Sequence, residues 1–275
     1  RPIKYFFHIS DLLCIYWNLI VMQNLKNNLI TIITVVKNSE QTIEKCIQSV
    51  LNQKYDNIEY IIIDGGSTDK TAEIIKKYQK KINKIIIEPD KGIWDAMNKG
   101  LNLASGSIIG FLNADDYYFS NSLETVNRYF QENSIDFLFG SVMKYKLMHG
   151  FRPSIIKWSF GFYTSHSVGF FIKTDQHRKV GNYNTKYLSA DLDFFYKMIT
   201  KFNLKGKSTN KDEILGKFEK GGYSSKVNYV DHLKDLNQIR IDNNQNILFV
   251  YFLFLVKIFK KPLKFVRAYL NRKKL

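Results

Sequence analysis

The chain contains little cysteine. Only two cysteines occur in 275 residues, Cys14 and Cys46, and they lie far apart in the sequence. This scarcity excludes a disulfide framework, and it excludes a zinc site built from closely spaced cysteines. We therefore expect a protein of a reducing compartment. Since 45% of its residues are hydrophobic, the chain can also form a sizeable hydrophobic core.

No uninterrupted apolar run is long enough to cross a membrane as a helix. Residues 5–21 are aromatic and apolar, but they include His8 and Asp11, and the segment is short for a membrane span. Because Met22 directly precedes a polar linker and the first predicted strand, we interpret Met22 as the natural start and residues 1–21 as extraneous. The alternative is a short amphipathic helix that lies on a membrane.

Acidic residues are also few, since 25 aspartates and glutamates stand against 41 lysines and arginines, for a net charge of +16. Such an excess is typical of proteins that bind nucleic acid, anionic membranes or phosphorylated ligands. Half of the excess follows residue 256, where eight basic residues and no acidic residue come after ten consecutive apolar residues, 247–256. This basic amphipathic tail suits the surface of an anionic membrane. A packed helix with a solvated basic face is the alternative.

The first half of the chain alternates between short branched apolar runs and segments with helical spacing, which predicts a parallel sheet with helical crossovers. Asn38 or Ser39 is predicted to cap the first helix, and Asn121 with Glu124 forms a predicted capping box. The second half is more aromatic and less regular. The predicted strands are residues 29–36, 60–63, 84–87, 107–112, 135–140 and 141–147, and the predicted helices include residues 43–51, 71–80, 121–132 and 189–201, with another that ends near residue 104.

Carboxylates follow predicted strands or begin predicted helices at Asp64, Asp95, Asp191 and the pair 115–116. Because the carboxyl ends of parallel strands meet at one edge of a sheet, these residues can share a site. Asp64 is followed by two glycines, which leave room for a ligand, and its carboxylate could accept hydrogen bonds from a nucleobase or a sugar. The alternative is that Asp64 and Asp69 only cap the next helix.

The adjacent pair Asp115 and Asp116 follows a predicted buried strand. Two neighbouring carboxylates repel each other unless a cation or a hydrogen-bond donor relieves them. Oxygen ligands suit Mg²⁺ or Mn²⁺, with a diphosphate completing the coordination shell. An exposed turn with two solvated aspartates is the alternative.

Residues from about 30 to 225 resemble the family-2 glycosyltransferases of the GT-A fold, and more closely the bacterial branch that builds surface polysaccharides. No Gly-x-Gly-x-x-Gly motif follows the first strand, which disfavours a plain dinucleotide-binding fold. The matching segments follow the order of the family and are residues 34–38 (Thr-Val-Val-Lys-Asn), 49–53 (Ser-Val-Leu-Asn-Gln), 63–69 (Ile-Asp-Gly-Gly-Ser-Thr-Asp), 88–100, 111–116 (Phe-Leu-Asn-Ala-Asp-Asp) and 190–191 (Ala-Asp).

The resemblance implies an α/β protein with the GT-A fold, a Rossmann-like and mainly parallel sheet flanked by helices. With the tail, it predicts three regions along the chain. Residues 1–28 form an N-terminal extension, residues 29–225 form the glycosyltransferase domain, and residues 226–275 form a basic, amphipathic helical tail.

The resemblance also implies roles on the donor side of the site. The carboxylate of Asp64 would contact the nucleobase, usually uracil, and Thr34 would line the same pocket. Asp95 matches an acidic position in the donor site. Asn113 and Asp115 occupy the place of the metal-binding Asp-x-Asp motif. Since Asn113 brings no charge, Asp115 would carry the contact to Mg²⁺ or Mn²⁺.

On the acceptor side, Asp191 matches the catalytic base of the family's Glu-Asp motif. Ala190 stands where glutamate is common, so Asp193 is the alternative base. His166 and the glycine pair 221–222 also match features of this branch, but we assign them no chemistry, and His166 could equally be a structural histidine.

The function implied is inverting transfer of a sugar from a nucleotide-sugar, a UDP-sugar by the family pattern, to a growing lipid-linked surface glycan such as lipopolysaccharide or capsule. Lys91 or Lys99 would help the metal to stabilise the departing diphosphate. The protein is expected in the cytoplasm, at the inner face of the cell membrane. One alternative is a catalytically inactive nucleotide-sugar-binding protein, suggested by Asn113 and Ala190. Another is a nucleic-acid-binding protein, which no motif supports.

Overall fold

The computed structural model describes residues 27–219 and 227–272. The predictions for residues 1–26, with Met22, and for the Gly221-Gly222 loop lie outside the described residues. The last three residues of the basic tail also lie outside them. The division of the chain at residues 28 and 225 stays a prediction.

The described strands form two sheets. The larger sheet has seven strands in the order β10-β6-β9-β4-β1-β2-β3, and the smaller has four in the order β5-β11-β7-β8. The bounds are β1 (Ile30–Val36), β2 (Ile58–Asp64), β3 (Lys84–Ile87), β4 (Ile108–Phe111), β5 (Tyr117–Tyr118), β6 (Phe137–Phe139), β7 (Ser141–Met143), β8 (Leu147–Met148), β9 (Phe170–Lys173), β10 (Gly206–Ser208) and β11 (Ile214–Lys217).

Helices cover both faces of the larger sheet. The α-helices of the described residues are α1 (Ile43–Leu51), α2 (Thr71–Lys77), α3 (Ile93–Leu103), α4 (Ser122–Glu132), α5 (Thr174–Val180), α6 (Ala190–Thr200), α7 (Tyr229–Asp242), α8 (Ile247–Lys260) and α9 (Pro262–Arg272), with short 3-10 helices at Gln79–Lys81 and Pro153–Ile155.

The parallel part of the larger sheet matches the sequence prediction. Strand β1 pairs in parallel with both β2 and β4, and β3 pairs in parallel with β2. Every residue of β1 is buried, as expected for branched residues in a strand that is covered on both faces. The register places Val36 beside Asp64, so the carboxyl ends of β1 and β2 lie at the same edge. The mainly parallel α/β fold is confirmed, with β9 inserted antiparallel between β4 and β6.

The smaller sheet corrects the prediction of two long strands over residues 135–147. The chain leaves the larger sheet after β6 and enters the smaller sheet at β7, with Gly140 between them. A Cβ atom on Gly140 would lie 2.0 Å from Cδ1 of Leu215, so any larger residue at this crossing would require the Leu215 side chain to move. The crossing brings residues after β7 towards the edge of the larger sheet.

The predicted helix caps are wrong in detail. Asn121 occupies the predicted N-cap position of α4, but its side chain makes no capping bond. The hydroxyl of Ser122, the first residue of the helix, donates to the Phe119 carbonyl at 2.8 Å. Thr42, not Asn38 or Ser39, occupies the cap position of α1. The Asn38 side chain accepts from the Thr68 amide at 2.8 Å, and it therefore joins the loops that follow β1 and β2.

The C-terminal helices match the predicted helical tail. Helix α7 packs against α6, and α8 and α9 pack against α7. Along α8 only Val250 and Leu253 are buried, whereas Leu248 and Phe259 are each 77% exposed and Leu263 of α9 is 83% exposed. Among the described residues, no helix combines the length and apolar character needed to cross a bilayer.

Candidate active site

A cavity of about 600 Å³ lies beyond the carboxyl end of β4. Its walls come from the turn after β4, the start of α6, the residue after β7 and the junction of α8 with α9. The cavity is lined by side chains of both charges. The acidic ones are Asp115 and Asp191, the basic ones are Lys144, Lys261 and Lys264, and the uncharged Asn113 lies beside Asp115.

The turn after β4 holds two carboxylates in different environments. The Asp116 side chain is 1% exposed and accepts hydrogen bonds from the Ser167 hydroxyl at 2.6 Å and the Glu219 amide at 2.9 Å. Burial, followed by the neighbouring Asp115 carboxylate, raises the pKa of Asp116 to about 8. Asp116 is therefore a buried residue with its hydrogen-bond partners inside the protein, and the alternative of an exposed pair of solvated aspartates is wrong.

Asp115 and Asn113 face the cavity. Burial raises the pKa of Asp115, so its negative charge is poorly solvated there. The Oδ1 atom of Asn113 is buried and has no hydrogen-bond partner within the described residues. A buried amide oxygen without a hydrogen bond and a neighbouring, poorly solvated carboxylate would both be stabilised by a cation or a hydrogen-bond donor.

These two oxygen-bearing side chains fit a hard divalent cation that takes its remaining ligands from phosphate and water. A complete protein cage is absent from residues 27–219 and 227–272, where no group of three or more histidine, cysteine, aspartate or glutamate side chains is placed to hold a metal. Any cation here would depend on the bound ligand for most of its coordination shell.

The segment before β9 holds the turn in place. The Ser167 hydroxyl accepts a hydrogen bond from the backbone amide of Asn113 at 2.9 Å and donates one to the Asp116 carboxylate. Val168 has a φ angle of 72°, in the left-handed region that a β-branched residue rarely adopts, and its amide donates to the Phe111 carbonyl at 3.0 Å. Strain of this kind persists where surrounding contacts fix the backbone, often at functional sites.

His166 lies in the wall of the cavity, and its contacts are mainly structural. Its Nε2 atom is 2.8 Å from the Tyr183 hydroxyl, and its ring stacks on Phe111 with centroids 4.7 Å apart. Burial, and to a lesser extent His177, lowers the pKa of His166 to about 3. The ring is therefore neutral at physiological pH, and the interpretation as a satisfied structural histidine accounts for these contacts.

Asp191 is a half-buried carboxylate in the wall of the cavity. It lies in the first turn of α6 and lines the cavity, and the Tyr163 hydroxyl donates to its Oδ2 atom at 3.2 Å. Burial raises the pKa of Asp191 to about 6. A carboxylate with a pKa near 6 is mostly ionised at neutral pH, so it can accept a proton. It is also more basic than an ordinary carboxylate, which suits proton transfer.

Asp193 has different contacts. It is 2% exposed, accepts from Lys197 at 2.6 Å and accepts from the Asn243 amide at 2.8 Å. The Asn243 bond ties α6 to the end of α7, whereas the Lys197 bond lies within α6. Asp193 does not line the cavity. The geometry favours Asp191 over Asp193 as the carboxylate that is accessible to a substrate.

Helix α7 also positions the start of α6. The Asp235 carboxylate accepts from the amides of Leu188 and Ser189 at 3.0 and 2.8 Å. The indole of Trp94 donates to the Leu188 carbonyl at 3.1 Å. These contacts from α7 and α3 converge on the residues before Asp191, so the orientation of Asp191 depends on both halves of the chain.

Three residues predicted on the donor side do not line this cavity. Asp64 is fully buried at the end of β2, where its Oδ1 atom accepts from the amide and hydroxyl of Ser67 at 2.9 and 2.7 Å. Its Oδ2 atom is buried and has no partner within the described residues. Asp95 is half-buried and accepts from the Lys91 amide at 3.0 Å.

Thr34 corrects the prediction that its side chain lines the nucleotide pocket. It is fully buried, with its hydroxyl 3.2 Å from that of Tyr60 and 3.8 Å from the Cys46 sulfur. Side chains alternate along a strand, and this alternation places Thr34 against α1, whereas the cavity is bordered by α3, on the other face of the sheet.

Lys144 is the main cavity residue that the sequence prediction missed. It follows β7 and lines the cavity, where its ammonium lies 4.2 Å from the ring centroid of Phe218. Burial lowers its pKa, while Asp116 and Asp191 oppose that shift. Lys99, which was predicted near the donor, instead pairs with Glu88 at 2.8 Å. No local pattern marks Lys144, because its position depends on the strand crossing at Gly140.

Comparison with known proteins identifies the family of the chain. Residues 31–206, more than half of the chain, match the family described as Glycosyl transferase family 2. The chain belongs to this family. The resemblance seen in the sequence motifs is thereby confirmed.

The chain is similar to several curated glycosyltransferases over part of its length. It is 32% identical over 123 residues to Glycosyltransferase GlyA of Streptococcus pneumoniae, covering 44% of this chain and 18% of that protein. It is 28% identical over 178 residues to a PGL/p-HBAD biosynthesis glycosyltransferase of Mycobacterium bovis, covering 60% and 67%. The chain thus spans less than half the length of the streptococcal relative.

Solved structures share the fold. TarS of S. aureus, residues 1-349 in complex with UDP-GlcNAc, has a TM-score of 0.65 at 19% identity, covering 84% of this chain and 73% of that one. Mannosyltransferase PcManGT from Pyrobaculum calidifontis, in complex with GDP-Man and Mn²⁺, has a TM-score of 0.64 at 16% identity, covering 93% and 81%. At these identities the likeness establishes the GT-A fold alone.

Proposed function

We propose that the protein is an inverting glycosyltransferase that moves a sugar from a UDP-sugar to a lipid-linked surface glycan. The observation that carries the proposal is Asp191, a carboxylate with a pKa raised to about 6 that faces the same cavity as Asn113 and Asp115. A base and an oxygen-lined ligand site in one cavity are the parts that glycosyl transfer needs. The Mycobacterium bovis relative named a PGL/p-HBAD biosynthesis glycosyltransferase supports a role in glycan biosynthesis.

On the donor side, Asp64 is proposed to accept a hydrogen bond from the nucleobase. Its unpartnered Oδ2 atom supports this role, because a buried acceptor without a partner costs stability that a bound ligand can restore. Gly66, with φ of 77°, provides the turn just after Asp64 that a residue with a Cβ rarely adopts. Asp95 is proposed as a more distant part of the donor site, and the buried Thr34 hydroxyl as support for the neighbouring strand end.

Asp115 is proposed to hold Mg²⁺ or Mn²⁺ together with Asn113. The bound cation would supply positive charge that stabilises the departing diphosphate. The complex of the Pyrobaculum mannosyltransferase with GDP-Man and Mn²⁺ supports a metal in a protein of this fold. Lys144 adds a protein cation to the same cavity.

In the proposed reaction, Asp191 removes the proton of an acceptor hydroxyl. The hydroxyl oxygen forms its bond to the anomeric carbon while the bond from that carbon to the diphosphate oxygen breaks, and the electron pair leaves with the diphosphate. The Tyr163 hydroxyl holds the Asp191 carboxylate in place. Because this is a single displacement, an α-linked donor yields a β-linked product.

The alternative is a protein that binds nucleotide-sugars without transferring them. Its support is the uncharged Asn113 and the fully buried Ala190, which brings no second carboxylate to the site. Hydrolysis of a UDP-sugar without an acceptor, abolished by Asp191→Asn, distinguishes the enzyme from the binding protein.

We further propose that the protein works at the inner face of the cell membrane. Helices α8 and α9 expose large apolar side chains, including Leu248 and Phe259, beside lysines that carry positive charge. An interfacial helix gains from both apolar burial and attraction to anionic lipids. The alternative of a fully packed tail helix is disfavoured by the same exposure.

Asp191→Asn is expected to lower the rate of sugar transfer by about 10² to 10⁴, the usual contribution of a general base, with UDP affinity nearly unchanged. In the unsubstituted protein kcat/KM should rise as the pH increases through about 6 and level off above it, because only the ionised carboxylate accepts a proton. Release of UDP from the donor, measured with and without membranes as a source of acceptor, tests both expectations.

Asp193→Asn is the matched control. It should keep most of the activity but lower the melting temperature, since it weakens a buried ion pair with Lys197 at a cost of about 1–3 kcal/mol. An inactive Asp193→Asn with an active Asp191→Asn would show that the base has been assigned to the wrong residue.

Asp115→Asn is expected to reduce the Mn²⁺-dependent affinity for UDP more than about tenfold, because it removes the charged oxygen ligand proposed for the metal. Calorimetric titration with Mn²⁺ and with a chelator separates the metal-dependent part. The control is Asp212→Asn, an exposed carboxylate outside the cavity. Equal Mn²⁺-dependent affinity in both variants would refute the metal assignment.

The pair Leu248→Ser and Phe259→Ser is expected to reduce binding to vesicles that contain phosphatidylglycerol, because full burial of each side chain contributes about 1.5–3 kcal/mol. Sedimentation with vesicles measures the bound fraction. The control pair, Ile87→Ser and Phe119→Ser, changes apolar residues that are 43% and 39% exposed outside the tail. If both pairs sediment like the unsubstituted protein, the tail does not lie on the membrane.

A further inference from the structure

The junction of α8 and α9 brings positive charge to the cavity. Lys261 follows the last residue of α8, Lys264 lies in the first turn of α9, and both line the cavity that Asp191 also lines. The C-terminal tail therefore contributes directly to the wall of the candidate active site. Both lysines are exposed, and both also border the cavity, so they can contact a ligand that enters it.

Neither lysine is neutralised by a carboxylate. Across residues 27–219 and 227–272, no ion pair involves Lys261 or Lys264, and the Lys264 ammonium instead lies 4.7 Å from the ring centroid of Tyr229. An ammonium over an aromatic ring keeps its remaining donors for another acceptor. Two lysines without an ion pair in one wall of the cavity suit an anion.

More positive charge lies behind these two lysines. Lys257 of α8 is half-buried, and burial together with Arg240 lowers its pKa to about 8. Burial, then Lys257, lowers the pKa of His232, while Asp235 opposes that shift and Lys264 adds a smaller contribution to it. Neighbouring cations that destabilise one another are relieved by a bound anion.

The same turn is apolar on its outer side. Leu263, between the two cavity lysines, is 83% exposed, and Phe259 is 77% exposed. Exposed apolar side chains therefore stand next to the cavity lysines along the chain. This combination fits an anionic group joined to a hydrocarbon chain better than a free ion.

We propose that Lys261 and Lys264 bind the phosphate or diphosphate that links the acceptor glycan to its lipid. The inference rests on the proposed transfer to a lipid-linked acceptor. This site on the tail is additional to the proposed cation site at Asn113 and Asp115, where the diphosphate of the donor would bind. Charge-assisted hydrogen bonds from lysine are strong enough to orient a phosphate, so the lysines would hold the acceptor with its glycan in the cavity lined by Asp191.

The test measures binding of farnesyl diphosphate to the full chain, with UDP and Mn²⁺ present so that the donor side of the cavity is filled. The variant Lys261→Gln with Lys264→Gln is compared with Lys260→Gln with Arg267→Gln. Both pairs remove two positive charges from the same helical region, but Lys260 and Arg267 do not line the cavity. We expect the cavity pair to weaken binding about tenfold or more, and the control pair to change it less than about twofold.

Vesicle binding separates this site from general attraction to the membrane. Both pairs should lose a similar part of their affinity for vesicles containing phosphatidylglycerol, because each loses the same charge near the surface. Equal loss of farnesyl diphosphate binding in both pairs, or no loss in the cavity pair, would overturn the proposal.

Two further probes identify what the lysines recognise. Inorganic pyrophosphate should bind more weakly than farnesyl diphosphate, and farnesol should not distinguish the two variants. Pyrophosphate binding as tight as that of farnesyl diphosphate would overturn the lipid part of the proposal. UDP binding by the unsubstituted protein is recorded separately, so failure of the proposed transferase function is distinguishable from failure of this site.

Discussion

The Ser167 hydroxyl connects the two halves of the site. It accepts a hydrogen bond from the Asn113 amide and donates one to Asp116, so the turn after β4 is held by a segment more than fifty residues later. This contact allows Asp116 to be buried and leaves Asp115 and Asn113 facing the cavity. Together with the bond from the Val168 amide to the Phe111 carbonyl, it fixes the turn against the segment before β9.

A second constraint is the burial of negative charge. Burial raises the pKa of Asp191 to about 6, and burial with Asp115 raises that of Asp116 to about 8. Asp191 therefore makes the folded state less stable at high pH than a carboxyl of ordinary pKa would, since the buried ionised form is disfavoured. Such a cost is common where a residue serves catalysis. Asp193, two residues away, is also buried, but its carboxylate accepts hydrogen bonds from Lys197 and Asn243.

Much of the nucleotide-binding half could be predicted from sequence. Strands β1 to β4 and helix α1 follow local apolar patterns, and parallel pairing explains why the polar residues after the strands lie at one edge. Thr34 was misplaced because a motif match does not say which face of a strand a side chain occupies. Asn38 does not cap α1, because its side chain accepts a hydrogen bond from the Thr68 backbone amide instead. Asn121 occupies the N-cap position of α4 but makes no capping bond.

The acceptor half resisted prediction for a different reason. Lys144, Lys261 and Lys264 reach the cavity through a strand crossing at Gly140 and a helix junction after Lys260, and neither depends on a local periodicity. The basic tail was evident from its charge, but its contribution to the cavity depends on the packing of α7 against α6 and α9. Contacts between distant segments thus position the side chains that would bind the acceptor.

The most direct test follows the configuration of the sugar released when the purified protein hydrolyses a bound UDP-α-sugar with water as the acceptor. Proton NMR at early times distinguishes the anomers before they interconvert. If Asp191 activates the attacking oxygen in a single displacement, the β anomer should appear first. Initial release of the α anomer would mean retention, and it would contradict the assignment of Asp191 as the base of an inverting transfer.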